Sequence, residues 1–144
     1  MKLEQLDREI DIIDLISHHN SGVTPVVIDV ETTSVEPRKA QLVDVQMSGY
    51  DSDHAVSFSG IHAHLLTSLD PALTLVAHNY KYDAHVLSKH NVNLLDRTWR
   101  DTMLLGHLID ENRSSHSLDS YVQEYWNDSY KNTFWSKYTS YQEA

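Results

Sequence analysis

The order of elements along the chain predicts an α/β domain of three layers, a mixed central sheet flanked by helices. Two patterns carry this: strand-length apolar runs come first with a tight turn between two of them, and short buried strands then alternate with helical stretches. At 144 residues the chain fits one domain, expected to bury roughly two-thirds of its unfolded surface around a single core.

Residues 3–17 set Leu3, Leu6, Ile10, Ile13 and Ile16 three or four positions apart, the stripe of an amphipathic helix that Asn20-Ser21-Gly22 ends. A first strand follows at 25–31, and a loop with Pro37 leads to a second at 41–48, apolar at Leu42, Val43, Val45 and Met47. A third covers 54–58, with Gly49-Tyr50-Asp51-Ser52-Asp53 as the hairpin turn, so the three pair as an antiparallel meander. Ile61 to Leu69 reads as a short helix before Pro71, and Leu73 to Ala77 as a short buried strand. Residues 80–90 are helical, 98–100 form a brief strand, and 102–110 and 117–126 carry helical apolar spacing. In the last, Leu118, Tyr121, Val122, Tyr125 and Trp126 make one face.

Composition excludes several classes of function. With no cysteine there are no disulfides, thiolate zinc sites or cysteine nucleophiles, and the ten histidines lack zinc-type spacing. No apolar run approaches the ~18 residues of a membrane span, and no basic-then-apolar leader opens the chain, so a soluble cytoplasmic protein is expected. A net charge of −10 argues against broad sequence-independent binding of nucleic acid, which rests on Lys and Arg neutralising phosphates. A nuclease gripping a few nucleotides through bound cations stays compatible with it.

The chemistry concentrates at two strand ends. In Val26-Val27-Ile28-Asp29-Val30-Glu31-Thr32-Thr33 an apolar run ends in Asp-x-Glu, and alternation sends Asp29 and Glu31 to one face while Val26, Ile28 and Val30 fill the other. Two carboxylates so close repel unless a cation lies between them or one takes a proton, and hard divalent cations prefer oxygen donors. In Leu75-Val76-Ala77-His78-Asn79-Tyr80-Lys81-Tyr82-Asp83 a second strand runs into a helix, with Asn79 as N-cap and Asp83 four residues on. Alone these are a cap and a first-turn acid; after an Asp-x-Glu strand they read as a third carboxylate on the same cleft.

At these residues the sequence resembles the DEDD superfamily of 3'-5' exonucleases, most closely the proofreading domain of family A DNA polymerases of bacteria and phages. IDVETTS at Ile28 to Ser34 is similar to the first exonuclease motif and AHNYKYD at Ala77 to Asp83 to the second. The block from Asp101 to Trp126 is similar to the stretch that links the second motif to the third, so the likeness spans roughly residues 25–144. The resemblance implies an RNase H-like fold over a core of 25–144 behind an N-terminal helix at 1–22, and removal of nucleotides from a DNA 3' end. It further implies that Asp29, Glu31 and Asp83 are catalytic and hold two Mg²⁺ or Mn²⁺ ions. Thr32 and Thr33 would hold the terminal nucleotide, Val35 would wedge against the last base, and Asn79 would face the substrate strand.

The family's third motif, Tyr-x-x-x-Asp or His-x-x-x-Asp on a late helix, has no counterpart here; His116-Ser117-Leu118-Asp119 is one residue short, and its His116 and Asp119 are expected to cap and pack that helix. The domain is therefore expected to be incomplete at its C-terminus, lacking the last helix. Three alternatives follow: part of an exonuclease completed by a polymerase or complementing fragment, a slow nuclease with three carboxylates aided by a neighbour such as Asp101, or a module that binds DNA ends or a replication protein. The aromatic tail of Trp126, Tyr130, Phe134, Trp135, Tyr138 and Tyr141 is the expected place for self-association or a partner.

Overall fold

A computed structural model describes residues 2–49 and 52–127. It divides into two compact units, Met1–Thr102 and Met103–Ala144.

The first unit is built on a six-stranded mixed sheet ordered β1-β4-β3-β2-β5-β6. The strands are β1 (Lys2–Leu6), β2 (Val26–Thr32), β3 (Leu42–Gly49), β4 (His54–Ser59), β5 (Leu75–Ala77) and β6 (Trp99–Asp101). As expected, β2, β3 and β4 form an antiparallel meander, with Val30 opposite Val45 and Val45 opposite Phe58. On the other side of β2, the strands β5 and β6 add in parallel. Parallel strands bury both faces, and β5 is buried at all three positions.

The N-terminal segment departs from the expected single helix. Lys2–Leu6 is a strand parallel to β4, with Leu3 beside Ala55 and Leu6 beside Phe58, and the helix α1 begins at Glu9 and runs to Asn20. Leu3 and Leu6, three apart, fit a helix pattern equally well, but the outer edge of β4 needs a partner for its backbone groups. Arg8 is extended and holds Asp11 at 2.9 Å, which starts α1 afresh. Its buried residues are Ile12 and Ile16, while Ile10 and Ile13 are 54% and 42% exposed.

The segment expected as a helix before Pro71 is a 3-10 helix, Gly60–Ser68. Its apolar spacing explains this: Ala63, Leu66 and the following Leu69 are buried every third residue, the period of a 3-10 turn. Together with Ile12, Ile16, Ile28, Met47, Phe58, Leu75, Leu87 and Leu94 they form one apolar cluster. The helix α2 (Tyr80–Lys89) follows β5 and buries Asp83, Ala84, Val86 and Leu87.

Gly60 lets the 3-10 helix start against the first residue of β3, Leu42. A Cβ there would lie 2.5 Å from the Leu42 carbonyl oxygen, a backbone atom with no flexible end to yield. Gly60→Ala is expected to cost about 1–3 kcal/mol of stability, read as a lower urea midpoint.

In the second unit the described elements are α3 (Thr102–Ile109), whose first residue closes the first unit, and α4 (Leu118–Trp126). The cap of α4 is Ser117, whose hydroxyl accepts the Ser120 N–H at 3.1 Å, not His116 as expected. His116 pairs with the Tyr121 hydroxyl at 2.6 Å and stacks on His107, and Asp119 accepts from Gln123. The expected apolar face of α4 is only partly covered: Tyr121 and Val122 are half-buried, while Leu118, Tyr125 and Trp126 are exposed. Tyr130, Phe134, Trp135, Tyr138 and Tyr141 lie outside the described residues. No described helix is long and apolar enough to cross a membrane.

Candidate active site

The parallel strands β2, β5 and β6 all end on the same edge of the sheet, the edge where open α/β sheets bind ligands. β2 delivers Asp29 and Glu31 there, the β5–α2 junction delivers Asn79 and Asp83, and β6 ends in Asp101.

Alternation in β2 is as expected: Val26, Ile28 and Val30 are buried, Asp29 is exposed and Glu31 half-buried on the opposite face. The Asp29 carboxylate accepts the Val30 N–H at 3.0 Å. A bulge follows directly, because Glu31 opposes Asp44 whereas Thr32 opposes Leu42. The extra residue is Val43 of β3, so the regular β2–β3 ladder is interrupted just past the Asp-x-Glu pair.

The loop after the bulge is tied back to α2. The Tyr82 hydroxyl donates to the Ser34 carbonyl at 2.6 Å and lies 2.5 Å from the Thr32 hydroxyl. Thr33 pairs with Gln41 through its N–H at 3.1 Å and its hydroxyl at 3.0 Å, closing the loop. Further along α2, the Lys89 ammonium donates to the Arg38 carbonyl, and the His90 ring accepts the Leu42 N–H at 3.3 Å. Val35 projects from this loop 92% exposed.

Asp83 is the unusual group. It is 4% exposed, and its Oδ2 has no hydrogen-bond partner. Burial first, and then the charges of Asp29, Asp101 and Glu31, push its carboxyl up to about 8. Those three acids act on one buried carboxyl, so the structure does gather Asp29, Glu31 and Asp83 electrostatically. Among the described residues no three His, Asp or Glu side chains stand close enough to form a finished metal cage. The donor chemistry nevertheless suits a hard divalent cation, because the unpartnered oxygen of the buried Asp83 carboxyl and the acids whose charge it feels are all oxygen donors.

Asn79 occupies the N-cap position but does not cap. Its backbone is left-handed, with φ 70° and ψ 61°, and its side chain makes no cap hydrogen bond. The acceptor comes from Asp101, whose Oδ1 and Oδ2 take the N–H groups of Asn79 and Tyr80 at 2.9 and 3.1 Å. Sequence spacing could not find this bond, since it spans more than twenty residues; the signal present was an acid at the very end of a short strand.

The chain is similar to known proteins in sequence and in fold. The model of the 3'-5' exonuclease of family A DNA polymerases matches residues 4–142. Among curated proteins, the DNA polymerase of Escherichia phage T5 is 28% identical over 119 residues, 74% of this chain and 14% of the polymerase. DNA polymerase DpoZ of Salmonella phage PMBT28 is 30% identical over 105 residues, 69% of this chain and 17% of that protein. The chain thus spans about a sixth or less of these relatives. Among solved structures, Escherichia coli RNase D, an exoribonuclease involved in structured RNA processing, superposes with a TM-score of 0.69 at 18% identity, covering 90% of this chain and 34% of its own. NrnC of Brucella melitensis with bound Mg²⁺ gives 0.63 at 21% identity, covering 90% and 64%. These likenesses give the fold, RNase H-like. With carboxylates at the ends of β2 and β5–α2 and a family match across nearly its whole length, the chain belongs to the DEDD-type 3'-5' exonuclease domains of family A DNA polymerases.

Proposed function

We propose that the chain is a metal-dependent 3'-5' DNA exonuclease domain of the proofreading kind, in which Asp29, Glu31 and Asp83 hold Mg²⁺ or Mn²⁺. The observation that carries this is Asp83: a buried carboxyl with an unpartnered oxygen, raised by burial and by the charges of Asp29, Asp101 and Glu31. Such an arrangement is costly for a metal-free structural role, and cations relieve it. Held by Asp29, Glu31 and Asp83, such ions would supply water activation and charge stabilisation for the leaving 3' oxygen.

The rest is the work of the protein. Thr32 lends its hydroxyl to Ser34 and Tyr82, so it serves substrate by fixing the loop, while Thr33 sits exposed on that loop. Val35 offers an exposed apolar surface on which a terminal base can rest. Asn79, exposed and not capping its helix, has its amide available to the strand's backbone. DNA as substrate is supported by curated relatives that are DNA polymerases, among them DNA polymerase I of Pseudomonas aeruginosa. No Tyr-x-x-x-Asp or His-x-x-x-Asp pair occurs in residues 84–144, so residues 1–144 supply three of the four carboxylates that the family resemblance implies.

The test is digestion of 3'-labelled single-stranded DNA and RNA with Mn²⁺, beside Asp29→Ala and a calorimetric Mn²⁺ titration. Weak Mn²⁺-dependent release of nucleotides, lost in Asp29→Ala and enhanced by a peptide carrying a Tyr-x-x-x-Asp helix, is expected. Removing a metal ligand or a water-orienting group costs on the order of 10²-fold or more in rate. No binding of Mn²⁺ would overturn the proposal, and faster digestion of RNA than DNA would overturn its substrate.

A further inference from the structure

We infer that Asp101 is a positioning residue, which holds Asp83 in place by filling the backbone nest at the start of α2. The inference rests on the proposed function in one respect, that Asp83 ligates metal. A left-handed residue followed by a right-handed helical one turns consecutive N–H groups the same way and makes a concavity for an anion. Asn79, at φ 70°, followed by the first residue of α2 builds that concavity, and each Asp101 oxygen accepts one of its two N–H groups, at 2.9 and 3.1 Å.

The bonding partner is itself held firmly. Asp101 pairs with Ala77 in the parallel β5–β6 register, and the next residue, Thr102, bonds the His78 ring at 2.9 Å through its hydroxyl. The Tyr80 ring stacks on Trp99 with centroids 5.6 Å apart. The peptide from Ala77 to Tyr80 is therefore clamped to β6 by backbone, hydroxyl, ring and carboxylate together. Asp83 lies one helical turn beyond this clamp, with its other flank fixed by Tyr82 on the loop after β2. Positioning by outer residues of this kind is worth on the order of 10- to 100-fold in metal affinity.

With each oxygen accepting a backbone N–H bond, Asp101 serves the site through the backbone. An aspartate here also differs from asparagine in kind. Only a carboxylate offers a separate acceptor oxygen to each of the two N–H groups, whereas an amide would set its own NH₂ against one of them.

Amide hydrogen exchange by NMR and calorimetric titration with Mn²⁺ test this on the full chain, comparing wild type with Asp101→Ala and Asp101→Asn. In Asp101→Ala the Asn79 and Tyr80 amides should exchange at least about tenfold faster, the loosening should reach Asp83, and Mn²⁺ affinity should fall on the order of tenfold. Asp101→Asn should fall between, and protection across β2 and β3 should not change. Unchanged exchange at Asn79 and Tyr80, or loosening confined to those two residues, overturns the inference. Faster exchange with Mn²⁺ affinity equal to wild type also overturns it, leaving Asp101 a helix cap alone. Wild-type protein that binds no Mn²⁺ overturns the proposed function instead, and exchange through Asp83 then decides the inference by itself. Should Asp101→Ala fail to fold, Asp101→Asn carries the same comparison.

Discussion

Asp83→Asn is expected to stabilise the metal-free protein at pH 8–9 while removing its response to Mn²⁺. The Asp83 carboxyl is held up to about 8 by burial and by Asp29, Asp101 and Glu31, against an ordinary value of 3.8. Between those two pH values the folded protein keeps a proton that the unfolded chain has released. Stability from this group is therefore fully present below about pH 4 and falls as pH rises, levelling off above about 8. Each pH unit across that window is worth at most about 1.4 kcal/mol, so the variant, which cannot ionise, should gain several kcal/mol over wild type at its upper end. The gain should vanish near pH 4. A divalent cation narrows the gap: it favours the ionised carboxylate, so its affinity for wild type should rise with pH toward 8 as the proton it displaces becomes easier to lose. At 100 times its dissociation constant it adds about 2.7 kcal/mol to wild type and nothing to the variant. Thermal melts from pH 4 to 9, with EDTA and with Mn²⁺, check both halves. Parallel melting profiles of the two proteins in EDTA would show that Asp83 is not a buried, proton-holding group.

Much of this site was legible in the sequence because its information is local. Asp29 and Glu31 share a face by strand alternation, which no tertiary contact overrides, and the apolar run around them marked the strand. Asp83 was located by its place on α2 after a buried strand, although nothing local foretold its near-complete burial, which is set by packing from elsewhere. Two of the misreadings share one cause, partners remote in sequence. Lys2–Leu6 is a strand because β4 offers it an edge more than fifty residues later. Asn79 cedes its capping role to Asp101 for a similar reason, since a carboxylate arriving on β6 satisfies two N–H groups where the asparagine side chain would satisfy one. His116 lost the cap of α4 to its immediate neighbour Ser117, a choice between two adjacent polar residues that spacing alone does not resolve.

Phe58→Ala is expected to cost about 3–5 kcal/mol, the range for deleting a buried aromatic ring, out of a total that for such domains is about 5–15 kcal/mol. Phe58 has no exposed surface and is among the largest fully buried side chains of the described residues. It stands on β4 opposite Val45 of β3 and beside Leu6 of β1, so its ring lies where the meander meets the N-terminal strand. No side chain around it is polar enough to let water fill the gap, since the cluster it belongs to is apolar throughout. The urea midpoint should drop with little change in slope, because the same surface is exposed on unfolding. The carboxylates should be untouched while the variant remains folded: β4 is separated from β2 by β3, and Asp29 and Glu31 face away from the buried row of β2. Mn²⁺ affinity at low temperature should therefore equal that of wild type. A loss below about 1 kcal/mol would place Phe58 outside the core, and a parallel loss of Mn²⁺ affinity would show that the edge of the sheet carrying the acids depends on packing two strands away.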